Sequence, residues 1–148
     1  MVNLIDIDGN GRRYKLMAAS LAWTLLNERA PENNISHQEL PKPSAHLDFV
    51  FEHPYRMWFV IENLEGMSVG MTYMTKRNEI GIHILKEHQG KGYARNALNR
   101  LLSIYRPLPG EPSVRPSHFV ANINPSNTAS IRLFESIGGK HISNTYRL

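Results

Sequence analysis

Apolar and polar positions alternate along this chain with two periods, and the switches between them mark out the elements. Residues 2–7 (V-N-L-I-D-I) alternate as a short strand does, until Gly9-Asn10-Gly11 breaks the pattern. Residues 14–27 repeat every three to four positions, which predicts an amphipathic helix with Leu16, Leu21, Leu25 and Leu26 near one face. Pro31, Pro41 and Pro43 make 31–44 a loop. Ser44 is placed to cap a short helix over 45–52, stopped by Pro54. Residues 57–62 and 69–75 are strand-like, and Asn63-Leu64-Glu65-Gly66 between them is a hairpin signal. Lys76-Arg77-Asn78 is a second turn and leads into a strand over 79–85. A helix over 92–105 turns Ala94, Ala97, Leu98, Leu101 and Leu102 inward. Four prolines and a glycine make 106–116 loop. A strand follows over 118–123, then a helix over 127–137 closing at Gly138-Gly139, and a last strand over 141–147. With no repeat, linker or low-complexity tract, residues 1–148 read as a single α/β domain.

Composition narrows the picture. A chain of 148 residues is long enough to bury a core, and 41% hydrophobic with 20% charged residues is ordinary for a globular protein. No apolar run approaches the ~20 residues that span a bilayer. Met1 to Asp6 lacks a basic stretch followed by an apolar one, which argues against secretion and for a cytoplasmic location. The absence of cysteine excludes disulfides, a thiolate nucleophile and cysteine metal sites. The net charge of +4 is scattered and suits a polyanionic ligand such as a nucleotide cofactor. No basic stripe with interleaved aromatics is present, which argues against a nucleic-acid partner.

The stretch 80–94 (I-G-I-H-I-L-K-E-H-Q-G-K-G-Y-A) carries the most chemistry. An apolar run ends in a polar turn, and Gln89-Gly90-Lys91-Gly92-Tyr93-Ala94 then opens directly into a helix. Two glycines let the backbone approach something bulky and anionic, and the helix start directs free N–H groups at the same spot. Downstream, Asn127, Ser130, Phe134 and Gly138 follow the strand that ends at Ile123.

These two constellations, in this order and about 35 residues apart, resemble the GNAT superfamily of acetyl-CoA-dependent N-acetyltransferases over residues 57–140. The run E-I-G-I-H-I-L-K-E-H-Q-G-K-G-Y-A is similar to the branch that acetylates the N-termini of ribosomal proteins. The resemblance implies a mixed, mostly antiparallel central sheet with flanking helices. It also implies acetyl-CoA as cosubstrate, no metal, and a primary amine acceptor, either a protein N-terminus, a lysine or a small molecule. Gln89, Gly90, Lys91, Gly92, Tyr93 and Ala94 would surround the pyrophosphate. Ile82, His83 and Ile84 would run along the pantetheine arm, with the Ile84 N–H facing the thioester oxygen. Asn127 would bond pantetheine or a water, with Ser130 and Phe134 beside it.

Transfer to an amine requires that the amine lose a proton. Two readings are open for Glu79: the base, acting directly or through water, or a strand-end carboxylate paired with Lys76 or Arg77. His83 and His118 are placed to relay a proton or to sit as core residues, and His88 is expected to be exposed. Many relatives carry at position 134 a tyrosine that protonates the departing thiolate. Phe134 cannot do so, and Tyr93, Tyr105 and Tyr146 are the substitutes considered. Asp6-Ile7-Asp8-Gly9-Asn10-Gly11 looks like half a calcium loop, but Met17 stands where its glutamate belongs and Arg12-Arg13 bring the wrong charge, so a strand-to-helix turn is expected. Tyr55, Trp58 and Phe59 read as core, or as the edge of an acceptor cleft. The carboxylates Glu28, Glu32, Glu39, Asp48, Glu52 and Glu62 would suit a cationic acceptor there. Phe134, and only nine residues after Gly139, also admit an alternative, a catalytically idle CoA-binding module acting through protein contacts, with one strand missing or supplied by a second copy in a homodimer.

Overall fold

The computed structural model describes residues 1–29 and 40–148, so the expectations for Pro31, Glu32 and Glu39 lie outside the described residues. Four strands, β1 (Val2–Asp6), β2 (Met57–Asn63), β3 (Ser68–Met74) and β4 (Ile80–Ile84), form one antiparallel sheet in sequential order. Helices α1 (Arg12–Glu28) and α2 (Pro43–Glu52) connect β1 to β2, and α3 (Tyr93–Ile104) and α4 (Thr128–Ser136) follow β4 after a 3-10 turn at Lys86–His88. The predicted elements up to α3, and α4 itself, are all present, with ends shifted by a residue or two.

Strand alternation sorts the core onto two faces. Trp58, Val60 and Met71 pack with Ala18, Ala19, Ala22 and Leu25 of α1 and Val50 of α2. Phe59, Met74 and Ile80 pack with Leu98 and Leu101 of α3. The buried stripe of α1 is therefore built mainly from alanines, which let the helix lie close to the sheet, and Leu16 is left 43% exposed on the opposite side. In α3, Ala97, Leu98 and Leu101 are buried as expected.

Two predicted strands do not form. The 118–123 segment makes a single parallel bridge, Glu79 to Val120. Ile80 N–H donates to Val120 O at 2.8 Å and Val120 N–H to Asn78 O at 2.9 Å, and the segment then leaves the sheet. The Asn124 side chain receives the Ser126 N–H, forming a turn around Pro125 that draws the chain away. Residues 141–147 have a strand-like sequence but no regular structure and are exposed throughout. Strand propensity reflects a fit to neighbouring strands, and no strand flanks this segment among the described residues.

Candidate active site

The site is built around β4. Thr75 N–H donates to Glu79 O and Leu85 N–H to Val69 O, so the odd-numbered residues of β4 bond to β3. Even-numbered Ile80, Ile82 and Ile84 turn their backbone groups to the outer edge. Ile80 is taken by Val120. Beyond it the edge opens, and the Ile82 and Ile84 N–H groups find no acceptor among the described residues. The Ile84 carbonyl accepts from Gln89 Nε2 at 3.0 Å, which folds the start of the glycine loop against the strand end.

Gly90 and Gly92 both hold positive φ, 77° and 82°. A Cβ at Gly90 would meet nothing within 4 Å, so backbone conformation, and not crowding, requires glycine here. Neither side chain nor backbone accepts from the N–H groups of residues 90–95 among the described residues; the first satisfied donor is Asn96, to Gly92 O at 3.1 Å. Six outward N–H groups at the start of a 12-residue helix form a donor set suited to a pyrophosphate. Lys91 is exposed beside them. The Tyr93 hydroxyl receives Asn63 Nδ2 at 3.4 Å, so its ring is turned to the β2–β3 hairpin. His88 is buried, not exposed as expected. The 3-10 turn folds its ring under Tyr93, with centroids 6.3 Å apart.

The odd-numbered side chains of β4 face α1 and α2 and open on a cavity of about 710 Å³. Its lining includes Arg29, Phe49, Tyr55, Trp58, Tyr73 and His83. Tyr55 and Tyr73 stack with centroids 4.1 Å apart and planes 7° from parallel, and Tyr55 meets Trp58 edge-on at 4.9 Å. Arg29 Nη1 lies 3.5 Å from His83 Nε2. A guanidinium only donates, so the facing imidazole nitrogen is the acceptor. Burial first, and then the Arg29 charge, push His83 down to about 3, and the ring is neutral at physiological pH. Burial also lowers Arg29, opposed by Tyr73 and Tyr55, and raises the hydroxyls of Tyr55 and Tyr73, with a further upward push from the nearby Glu79 carboxylate.

Glu79 is half-buried and makes no ion pair with Lys76, Arg77 or any other described residue. Its carboxylate acts instead on the tyrosine pair. His118 is exposed, two residues before the bridge. Asn127 is the N-cap of α4, its Oδ1 accepting from Ser130 N–H at 3.2 Å, and Phe134 is half-buried against Leu98 and Leu101. Of the tyrosines weighed as substitutes for it, Tyr105 packs by Phe59 and Tyr146 is 78% exposed. Among the described carboxylates, Glu28 accepts from Lys86 N–H at 3.1 Å, Glu62 receives the Tyr14 hydroxyl at 3.5 Å, and Asp48 and Glu52 are exposed. None lines the cavity. Asp6 and Asp8 cluster with His53, but Lys15 Nζ lies 2.6 Å from Asp8 Oδ1, so a cation already sits there.

Sequence reasoning missed Arg29, Tyr73 and Asn78. Strand parity carried one signal, since Tyr73 and His83 face the same side of adjacent strands.

The family described as Acetyltransferase (GNAT) domain matches residues 51–140. This chain belongs to the GNAT acetyltransferase family. Among solved structures, yncA from Salmonella typhimurium with its cofactor acetyl-CoA is similar at TM-score 0.60 and 20% identity, covering 93% of this chain and 78% of that one. Spermidine N-acetyltransferase from Vibrio cholerae is similar at TM-score 0.59 and 19% identity, with the same coverage. AAC(6')-Iy in complex with a bisubstrate analog is similar at TM-score 0.64 and 14% identity, covering 100% and 95%. These likenesses extend the GNAT fold beyond residues 51–140 to the described residues of the first half. No relative is found among curated protein sequences. No helix of the described residues is long and apolar enough to cross a membrane.

Proposed function

We propose that this GNAT acetyltransferase moves an acetyl group from acetyl-CoA to a primary amine by direct attack, with both substrates bound together. The observation that carries the reading is the row of unclaimed donors at the end of β4: the N–H groups of Ile82, Ile84 and residues 90–95. The N–H groups of Gly90 to Arg95, with the dipole of α3, hold the pyrophosphate. Ile82 and Ile84 lend the strand edge to the pantetheine arm, and Ile84 N–H stabilises the charge that develops on the thioester oxygen; such a donor contributes about 3 kcal/mol. Glu79 takes the proton from the acceptor amine, by way of water. The new bond joins the amine nitrogen to the acetyl carbon as the carbon–sulfur bond breaks. Thiols titrate near 8.5, so the thiolate leaves near neutral pH without a tyrosine at position 134.

The test is a melt with and without acetyl-CoA, followed by thiol release across a panel of amines. Acetyl-CoA at 100 times its dissociation constant is expected to add about 2.7 kcal/mol. Glu79→Gln is expected to lower kcat about 100-fold and to leave the acetyl-CoA shift intact. Absence of any shift with acetyl-CoA overturns the proposal.

A further inference from the structure

We propose that the cavity between α1, α2 and β4 takes an amine acceptor whose body is a flat, uncharged aromatic ring or fused pair of rings. The inference rests on the acetyl-transfer reading, and names the acceptor class for that site.

The walls argue for the ring. Phe49, Tyr55, Trp58 and Tyr73 line the space as a connected aromatic set, with Phe49 edge-on to both Tyr55 and Trp58 at 5.6 and 5.9 Å. Trp58 is already buried by the fold, but Phe49 and Leu40 line the cavity with 40% and 51% of their surface still open. Apolar surface left open on a concave wall is stabilised when an occupant removes it from water. A ring does this better than a flexible chain, because it meets aromatic edges and faces in favoured geometries and has little rotamer freedom to lose. At about 710 Å³ the space is in the range of small-molecule sites.

The polar groups of the lining argue for an uncharged body. Arg29 is engaged by His83 Nε2 at 3.5 Å and by a further interaction in the fold. The Tyr55 and Tyr73 hydroxyls share a hydrogen bond. These groups are satisfied by one another, and the ring system has no ionic group to pair with them. Burial pushes both lining histidines, His46 and His83, below their ordinary value, so neither supplies a charge near pH 7. The connection to the chemistry is through β4. His83 lines the cavity and lies between Ile82 and Ile84, whose N–H groups stand on the open edge. The cavity is on the face of that strand and the reacting centre is at its edge, so an alkyl arm carries the amine from the ring to the thioester.

The experiment compares tryptamine and phenethylamine with butylamine, which has the same charge and no ring, and with spermidine, acetyl-CoA being saturating. The two ring-bearing amines are expected to show kcat/KM about tenfold or more above butylamine. Phe49→Ala, at an exposed position of α2, is expected to cut that ratio about fivefold, and Phe49→Tyr, which keeps the ring, to preserve it. Binding is read separately by calorimetry on the unsubstituted protein saturated with CoA. The same ranking in binding without acetyl transfer overturns the catalytic reading and supports the acceptor class. Acetyl transfer with butylamine or spermidine level with the ring-bearing amines or above them, or a ratio unmoved in Phe49→Ala, overturns the acceptor class and leaves the catalytic reading standing. Binding of neither ring-bearing amine overturns the acceptor class as well.

Discussion

The two ends of β4 are built in opposite ways. At its start, Asn78 is fully buried with φ 62° and every polar group engaged. Its Nδ2 donates to Leu108 O and Pro116 O at 2.9 and 2.8 Å, and its Oδ1 receives Leu108 N–H at 2.8 Å. Its backbone N–H reaches Thr75 O and its carbonyl takes Val120 N–H. At the other end, the Ile82 and Ile84 edge and the Gly90–Arg95 loop leave N–H after N–H without a described acceptor. Buried polar groups are normally paired, and open ones persist where a ligand or water completes them. The difference teaches how a sheet is held apart for a ligand. A hub of hydrogen bonds clamps Val120 against the start of β4, and from that clamp the two segments diverge.

The comparison is broken most severely at the clamp. Asn78→Ala loses three side-chain hydrogen bonds and places a Cβ-bearing residue without local polar support in left-handed backbone. The expected loss is about 4 kcal/mol, a drop of roughly 10 °C in a thermal melt. Asn78→Gly relieves the backbone strain and should recover a part of it.

A second test uses pH. Only the unfolded chain can protonate position 83 between its ordinary value near 6.5 and the folded value of about 3, so the unfolded state binds more protons in that window. Stability is therefore level above pH 6.5 and falls as the pH drops below it, by up to about 2 kcal/mol at pH 5. His46, lowered by burial, adds to the same slope. Denaturant titrations at pH 7 and 5 should show the loss, and His83→Gln should reduce it.

At the open end the effect is on the ligand and not the fold. Gly92→Ala puts a Cβ at φ 82°, where space is free but the conformation is strained. Acetyl-CoA affinity by calorimetry should fall about tenfold, the equivalent of 1.4 kcal/mol. The melting temperature should move by only a few degrees.

The smallest change sharpens the reading of the acid. Phe134→Tyr adds a hydroxyl to a half-buried ring that packs against the α3 core. Thiol release at pH 8 should stay within about threefold, since the thiolate leaves without help at that pH.

Legibility in the sequence followed the range of the interactions involved. The glycine loop, the α4 helix starting near Asn127, and the alternation of β2 and β3 are local patterns, and all could be read directly, whereas the capping bond from Ser130 N–H to Asn127 was not read. The segments 118–123 and 141–147 have strand-like alternation too, but a strand needs an edge to pair with, which no local pattern reveals. Asn78 read as a plain turn residue because its partners lie 30 and 38 positions away. Arg29 ends a helix and could be placed beside His83 only once α1 was laid on the sheet. The described carboxylates of the first half are exposed or engaged elsewhere, and none lines the cavity, which only the laid-down fold could reveal.

Gly81 faces Tyr73 across the ladder, and the tyrosine ring lies flat where a side chain would otherwise stand; a Cβ there would collide with the ring carbons. The aromatic wall of the cavity thus takes its tilt from a hydrogen atom on the neighbouring strand. A single codon change at position 81 would lift Tyr73 off the sheet, disturb its stack on Tyr55, and redraw the cavity from beneath. The shape of the cavity can therefore drift through a residue outside its lining, without any change in the residues that line it.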